Sequence, residues 1–176
     1  MSNVGRKGRS FKRISDRDLR RLATIAALDR HDFFNRHPRW ALEYKDRFLC
    51  SALCQGAALH YLNGRTGIND FDVYSFYAAN PRRAWYAKAL RSRDFGNPRF
   101  GQTVSKPEYV GRRVDLMGRS IEVARKADPV TAIRQYLQRS RTRSARLLAE
   151  KAVVILQPAR LRGTVVWPVT NRTKAV

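Results

Sequence analysis

Two aspartates, Asp70 and Asp72, lie two residues apart in a segment that favours a β-strand. Residues 69–76 have the sequence NDFDVYSF, in which the aromatic and branched residues favour a pleated surface. Side chains two apart on a strand share one face, about 6–7 Å apart along the strand. Two carboxylates placed this way repel each other and lose hydration unless a cation neutralises them. The pair therefore predicts a divalent metal site.

Two further segments carry residues that suit the same chemistry. Upstream, an apolar run over 48–53 leads to Gly56 and to a short predicted helix over 57–62. A glycine before a helix lets a ligand approach the backbone, and the free N–H groups at the helix start bind phosphate. Downstream, Asp115 lies inside an apolar predicted strand. The sequence thus offers a phosphate-binding turn and a third carboxylate.

The order of these features resembles the nucleotidyltransferase superfamily typified by DNA polymerase beta, including its minimal members. The family pattern is an apolar residue, a glycine, then glycine or serine, a short spacer, Asp-x-Asp or Asp-x-Glu, and a later acid on a neighbouring strand. In this chain Gly56-Ala57, Asp70, Asp72 and Asp115 take those places. The resemblance covers about residues 47–120.

The resemblance implies a fold, a cofactor and a reaction. It implies a mixed α/β (α+β) sheet flanked by helices, in which Asp70, Asp72 and Asp115 hold two Mg²⁺ or Mn²⁺ ions. Asp115 would complete the second metal site and help to take up the acceptor proton. Gly56 and Ala57 would bind the phosphates of a nucleoside triphosphate. The implied enzyme transfers a nucleoside monophosphate from that triphosphate to an acceptor, mainly by positioning and charge neutralisation.

Ala57 departs from the family pattern, because active members usually carry Ser or Gly there. An alanine lacks the hydroxyl that binds a nucleotide phosphate, and only its backbone N–H remains. This departure favours an alternative, a catalytically silent nucleotidyltransferase-like module that binds nucleic acid or a partner protein. A third hypothesis is a basic nucleic-acid-binding protein of another fold, in which the three acids are structural. We rank the three hypotheses in that order.

The charge of the chain points to an anionic partner. Its 36 lysines and arginines outnumber its 14 acids and give a formal net charge of +22. The arginines concentrate in two stretches, residues 6–21 and residues 134–162. Arginine pairs phosphates through a planar fork, so this distribution favours nucleic acid over solubility alone. RNA is the favoured acceptor or partner, since a small-molecule acceptor would leave the charge unexplained.

The length and composition predict one domain in a reducing compartment. The length of 176 residues predicts a single domain, over 15–176. The basic residues at the start of the chain predict a flexible arm over 1–14. Cys50 and Cys54 lie in apolar surroundings and predict reduced core residues. No apolar run reaches the ~18–20 residues of a membrane span, and the first residues do not resemble a signal peptide. We expect a cytoplasmic protein with no membrane partner.

Local patterns predict the elements that position these residues. Ser15 is a predicted N-cap for a helix that ends before Pro38, and Asp128-Pro129 predicts another helix start. Asn80-Pro81 predicts a helix with Trp85, Ala89 and Leu90 inside. The other predictions are a helix over 40–45, a strand over 48–53, a loop over 94–109, a strand over 110–123 with a hairpin around Gly118 as one option, a helix over 142–156 and a strand over 163–169.

Overall fold

The computed structural model describes residues 12–85, 91–96 and 112–168. In this part of the chain, five α-helices and one mixed sheet of six strands confirm the predicted α+β fold with a sheet flanked by helices. The helices are α1 (Asp16–Arg36), α2 (Pro38–Tyr44), α3 (Gln55–Asn63), α4 (Pro129–Arg139) and α5 (Arg143–Ala149). The strands are β1 (Phe48–Cys54), β2 (Asp70–Ala78), β3 (Arg91–Asp94), β4 (Arg113–Ile121), β5 (Val153–Gln157) and β6 (Val165–Trp167). The predicted arm falls outside the described residues except for 12–14.

The sheet has the strand order β3-β4-β2-β1-β5-β6. Strands β2 and β4 run parallel, whereas each of the other neighbouring pairs is antiparallel. The first residues of β2 and β4 therefore meet at the same end of the sheet. The last residue of β1, Cys54, lies opposite Asp72 of β2 at that same end. This topology brings the start of α3 beside the two aspartates of β2.

The two faces of the sheet bury different sets of side chains. Phe71 and Val73 of β2 pack with α1 and α3 in one apolar cluster. Phe76 of the same strand packs on the other face, in a cluster that includes α4 and α5. Because side chains alternate along a strand, Asp70 and Asp72 share the face of Phe76. The apolar residues between the aspartates thus anchor β2 from behind.

The predicted helix starts at Ser15 and Asp128 are confirmed. Ser15 and Asp18 form a capping box, in which the Ser15 N–H donates to Asp18 Oδ2 at 2.9 Å and the Asp18 N–H to Ser15 Oγ at 3.3 Å. Asp128 Oδ2 accepts from the Thr131 N–H at 2.9 Å and caps α4. Both helices begin where a local side-chain acceptor satisfies their first N–H groups.

The helix predicted from Asn80-Pro81 is wrong over the described residues. The Asn80 side-chain oxygen accepts from the Arg82 N–H at 3.1 Å, and its carbonyl accepts from the Arg83 N–H at 3.1 Å, so the chain turns instead. Trp85 is buried as expected, whereas 86–90 lie outside the described residues. Residues 91–94 form the edge strand β3 rather than helix and loop, and 97–109 of the predicted loop are not described.

Two further predictions need correction. The predicted helix over 142–156 ends at Ala149, because the branched run that begins at Val153 forms β5 between β1 and β6. The hairpin option at Gly118 is wrong, since β4 runs through it without a break. A side chain at Gly118 would overlap the indole of Trp85, so glycine here permits close packing and not a turn.

The structure also bears on the cysteines and on membrane spans. Cys50 and Cys54 are buried and form no disulfide in the described part of the chain, and burial raises the pKa of both thiols. They behave as core residues, as predicted. None of the helices in the described ranges combines the length and the apolar character that a membrane span requires.

Candidate active site

The three predicted carboxylates lie at one end of the parallel pair β2 and β4. In the parallel register Asp72 lies opposite Asp115, and Asp70 lies opposite Arg113. Asp70 and Asp72 share a face because they are two residues apart, and the pairing places Asp115 on that face of the neighbouring strand. The structure therefore brings Asp70, Asp72 and Asp115 together, on adjacent strands as the sequence pattern predicts.

Arg113 joins two of the three carboxylates. Its Nη2 atom lies 2.6 Å from Asp115 Oδ2 and 3.4 Å from Asp70 Oδ2. The other oxygen of Asp115 accepts a hydrogen bond of 2.8 Å from the Ser92 hydroxyl on β3. Asp115 is almost fully buried, whereas the Arg113 side chain is 58% exposed. Sequence reasoning missed this pair, because nothing local shows that an arginine two residues before Asp115 turns back onto it.

Asp72 is the least compensated of the three acids. Its side chain makes no hydrogen bond or ion pair with any described residue, although it is half-buried. Burial, together with the carboxylates of Asp70 and Asp115, raises the pKa of Asp72 to about 6. Burial and the Asp115 charge also raise the pKa of Asp70. The site thus concentrates negative charge that the protein neutralises only in part.

The start of α3 lies beside Asp72 and has open space in front of it. Its N-cap, Cys54, makes no side-chain hydrogen bond to the first N–H groups of the helix, and the Gln55 N–H donates to the Ala152 carbonyl at 3.1 Å. A Cβ added at Gly56 would meet no described atom within 4 Å. The Ala57 side chain instead points into the apolar core. Residue 57 can therefore contact a ligand only through its backbone.

Gln55 and Lys151 are site residues that sequence reasoning missed. Gln55 has φ of 58°, a left-handed conformation that is uncommon outside glycine and costs about 1–2 kcal/mol. Lys151 is exposed, directly precedes the Ala152 partner of Gln55, and its charge lowers the pKa of both Asp70 and Asp72. The prediction of a helix over 142–156 placed Lys151 on a helix face, and so did not place it near the carboxylates.

Asp70, Asp72 and Asp115 are the right kind of ligand for a divalent ion, but their side chains are not yet arranged to bind one. Mg²⁺ binds carboxylate oxygens, and three carboxylates on one face supply them. Within the residues that the structure describes, however, no three Asp, Glu, His or Cys side chains are arranged to hold a metal ion as they stand. The guanidinium of Arg113 supplies, between Asp70 and Asp115, the positive charge that an ion would supply. Its exposed side chain can turn to solvent without disturbing the core.

Comparisons with known protein families, with curated proteins and with solved structures found no match. No relative therefore indicates a reaction, a substrate or a partner. The chemistry and geometry of the residues described above are what support a function.

Proposed function

We propose that this protein is a metal-dependent nucleotidyltransferase, which moves a nucleoside monophosphate from a nucleoside triphosphate to an acceptor hydroxyl. The observation that carries the proposal is the register of β2 and β4. It sets Asp70, Asp72 and Asp115 on one face at one end of the sheet, beside the start of α3. A net charge of +22 favours RNA as the acceptor.

Asp70, Asp72 and Asp115 are the residues that would hold Mg²⁺ or Mn²⁺. Such an ion would supply the positive charge that binds a triphosphate and stabilises charge developing during transfer. Asp72 has the strongest need of such an ion. Its carboxylate is half-buried beside the carboxylates of Asp70 and Asp115, and Asp72 itself has no partner among the described residues. Strain and repulsion retained at one place in a fold are typical of functional sites.

The start of α3 and Lys151 would hold the phosphates. The backbone N–H groups of Gly56 and Ala57 belong to the first helical turn, whose N–H groups have no partner within the helix. The open space over Gly56 leaves room for a phosphate to approach. The left-handed residue is Gln55, so Gly56 follows the turn directly. At Ala57 only the backbone N–H would contact a phosphate, because the side chain packs in the core.

The proposed transfer forms one P–O bond and breaks another. The acceptor hydroxyl oxygen attacks the α-phosphorus, a new P–O bond forms, the bond from the α-phosphorus to the bridging oxygen breaks, and pyrophosphate leaves. The hydroxyl proton passes to a carboxylate or to solvent. Both oxygens of Asp115 are engaged, one by Ser92 and one by Arg113, so Asp115 would bind an ion only when Arg113 turns to solvent. Asp72 has both oxygens available and is the carboxylate that would take this proton.

One observation favours the third hypothesis, a basic nucleic-acid-binding protein in which the acids are structural. Arg113 already neutralises Asp70 and Asp115, which is what a purely structural cluster would show. In that case the protein would bind nucleic acid or a partner without chemistry. The two functions differ in whether an ion displaces Arg113 from the carboxylates.

A transfer assay tests the proposal. Purified protein is incubated with Mg²⁺, total RNA and each α-³²P-labelled nucleoside triphosphate in turn, beside the Asp70→Asn/Asp72→Asn variant. Asp46→Asn is the matched control, because Asp46 is an exposed acid away from the three carboxylates. Label that reaches RNA with wild type and with the control, but not with the double variant, is the expected result. Label transfer that survives in the double variant, or metal and nucleotide binding absent from wild type, would contradict the proposal.

A further inference from the structure

A second anion-binding feature lies away from the carboxylates, where α1 passes into α2. A cavity of about 500 Å³ opens there. It is lined by the end of α1, the start of α2 and the turn after β2: Arg36, His37, Pro38, Arg39, Trp40 and Arg83. Its volume is in the range of ligand pockets, about 300–1,000 Å³. Nothing in the predicted transfer reaction uses these residues.

The cavity presents a rigid aromatic plane with a cation on it. The Arg83 guanidinium carbon lies 4.2 Å from the centroid of the Trp40 ring. Behind Trp40, the rings of Trp85 and Tyr44 have centroids 5.0 Å and 5.7 Å away and hold the indole in place. Trp40 remains half-buried rather than buried, so part of its ring is accessible. A preformed plane of this kind costs a ligand little ordering entropy.

The charge of the cavity selects an anion. Three of its described lining residues are arginines, all exposed, and none of the described ones is a carboxylate. Glu43 compensates part of the charge of Arg83, since its Oε1 atom lies 3.7 Å from Arg83 Nη1. The Arg36 Nε–H donates to the Asp32 carbonyl at 3.2 Å, which fixes the side chain and leaves its terminal nitrogens to bind. A ligand with a flat ring and a phosphate satisfies both the aromatic plane and the guanidinium groups.

We propose that this cavity binds one nucleotide of a single-stranded nucleic acid, with its base against Trp40 and Arg83 and its phosphates on Arg36 and Arg39. Single strands expose unstacked bases for such contacts, and stacking on aromatic or arginine planes is the usual mode. The cavity lies near Tyr77, whose ring packs on Tyr44 and Trp85 behind Trp40, at the other end of β2 from Asp72. Tyr77 lies five positions after Asp72 on β2, which corresponds to ~17 Å along the strand. The cavity is therefore a strand-binding site distinct from the carboxylates, and it does not depend on the transfer reaction.

The first arm of the test measures the charge contribution. A labelled oligothymidylate is titrated with wild type, with Arg36→Gln/Arg39→Gln/Arg83→Gln, and with the control Arg65→Gln/Arg125→Gln/Lys126→Gln. Both variants lose three exposed charges, so both should fold. Each phosphate contact in a single strand contributes about 0.7 to the magnitude of the slope of log affinity against log salt. Loss of the two contacts at Arg36 and Arg39 should therefore reduce that magnitude by about 1.4 in the cavity variant. Equal losses in both variants would mean unspecific attraction and would overturn the proposal.

The second arm tests the base and the source of the nucleotide. Wild type should bind the oligothymidylate about tenfold or more tightly than an abasic oligonucleotide of the same length and charge, and the cavity variant should lose that preference. Equal binding of the two by wild type would overturn the stacking contact. Competition by free thymidine monophosphate as strong as by the oligonucleotide would overturn the assignment to a strand. EDTA is present throughout, so the outcome is independent of metal binding and transfer.

Discussion

Replacing Asp72 with asparagine should stabilise the metal-free protein at neutral pH. Burial and two neighbouring carboxylates raise the pKa of Asp72 from 3.8 to about 6, so the folded protein binds this proton more tightly than the unfolded chain does. Ionising Asp72 therefore costs stability, and the cost develops as pH rises from below 3.8 to above 6. Each tenfold change in the ionisation constant is worth 1.36 kcal/mol, and with solvent screening the cost is about 1–3 kcal/mol at pH 8.

Urea unfolding in EDTA at pH 3.5 and pH 8, chosen from these pKa values, measures this cost. Asp72→Asn should match wild type at the lower pH and exceed it by about 1–3 kcal/mol at the higher one. Asp46→Asn removes the same charge at an exposed position and corrects for the net charge of the protein. A variant less stable than wild type at pH 8, or a gain equal to that of Asp46→Asn, would show that ionising Asp72 does not destabilise the fold. Asp72 would then be a compensated, structural acid.

Three other substitutions test separate parts of the structure. Gly56→Ala should leave the free energy of unfolding unchanged or raise it by up to about 1 kcal/mol, since the new Cβ meets no described atom. Calorimetry should nevertheless show at least about tenfold weaker nucleotide binding, because that Cβ takes the space for a phosphate. Arg113→Gln should tighten Mn²⁺ binding, because the cation that competes for two of the carboxylates is gone; weaker binding would assign Arg113 to the ligand instead. Gly118→Ala should destabilise the fold by about 1–3 kcal/mol in urea unfolding through overlap with Trp85, and an unchanged midpoint would contradict that packing.

Local signals in the sequence were enough for the elements that position the site. Ser15 and Asp18 define a capping box by their spacing alone, and the alternation around Asp70 and Asp72 defines both a strand and a shared face. These features depend on residues within a few positions of one another. The sheet flanked by helices and the neighbouring strand of Asp115 came from the family pattern, not from periodicity.

The features that were missed depend on contacts between distant segments. Residues 150–156 continue a helical pattern in the sequence. In the structure, however, Val153 and its neighbours form a strand because they pair with β1 on one side and β6 on the other. That change brings Lys151 to the carboxylates. The contact of Arg113 with Asp70 and the left-handed Gln55 likewise follow from strand pairing and from the bond to Ala152. Tertiary packing overrode local preference at these places.

The proposed function requires the three carboxylates to hold a divalent ion for a nucleotide. Electron paramagnetic resonance of Mn²⁺ measures this directly, because bound and free ions give different signals. With a non-hydrolysable nucleoside triphosphate present, wild type and Asp46→Asn should bind Mn²⁺, and Asp72→Asn and Asp115→Asn should lose most of that binding. Absence of bound Mn²⁺ in wild type, or equal binding in all four proteins, would contradict the account and leave the acids as structural partners of Arg113.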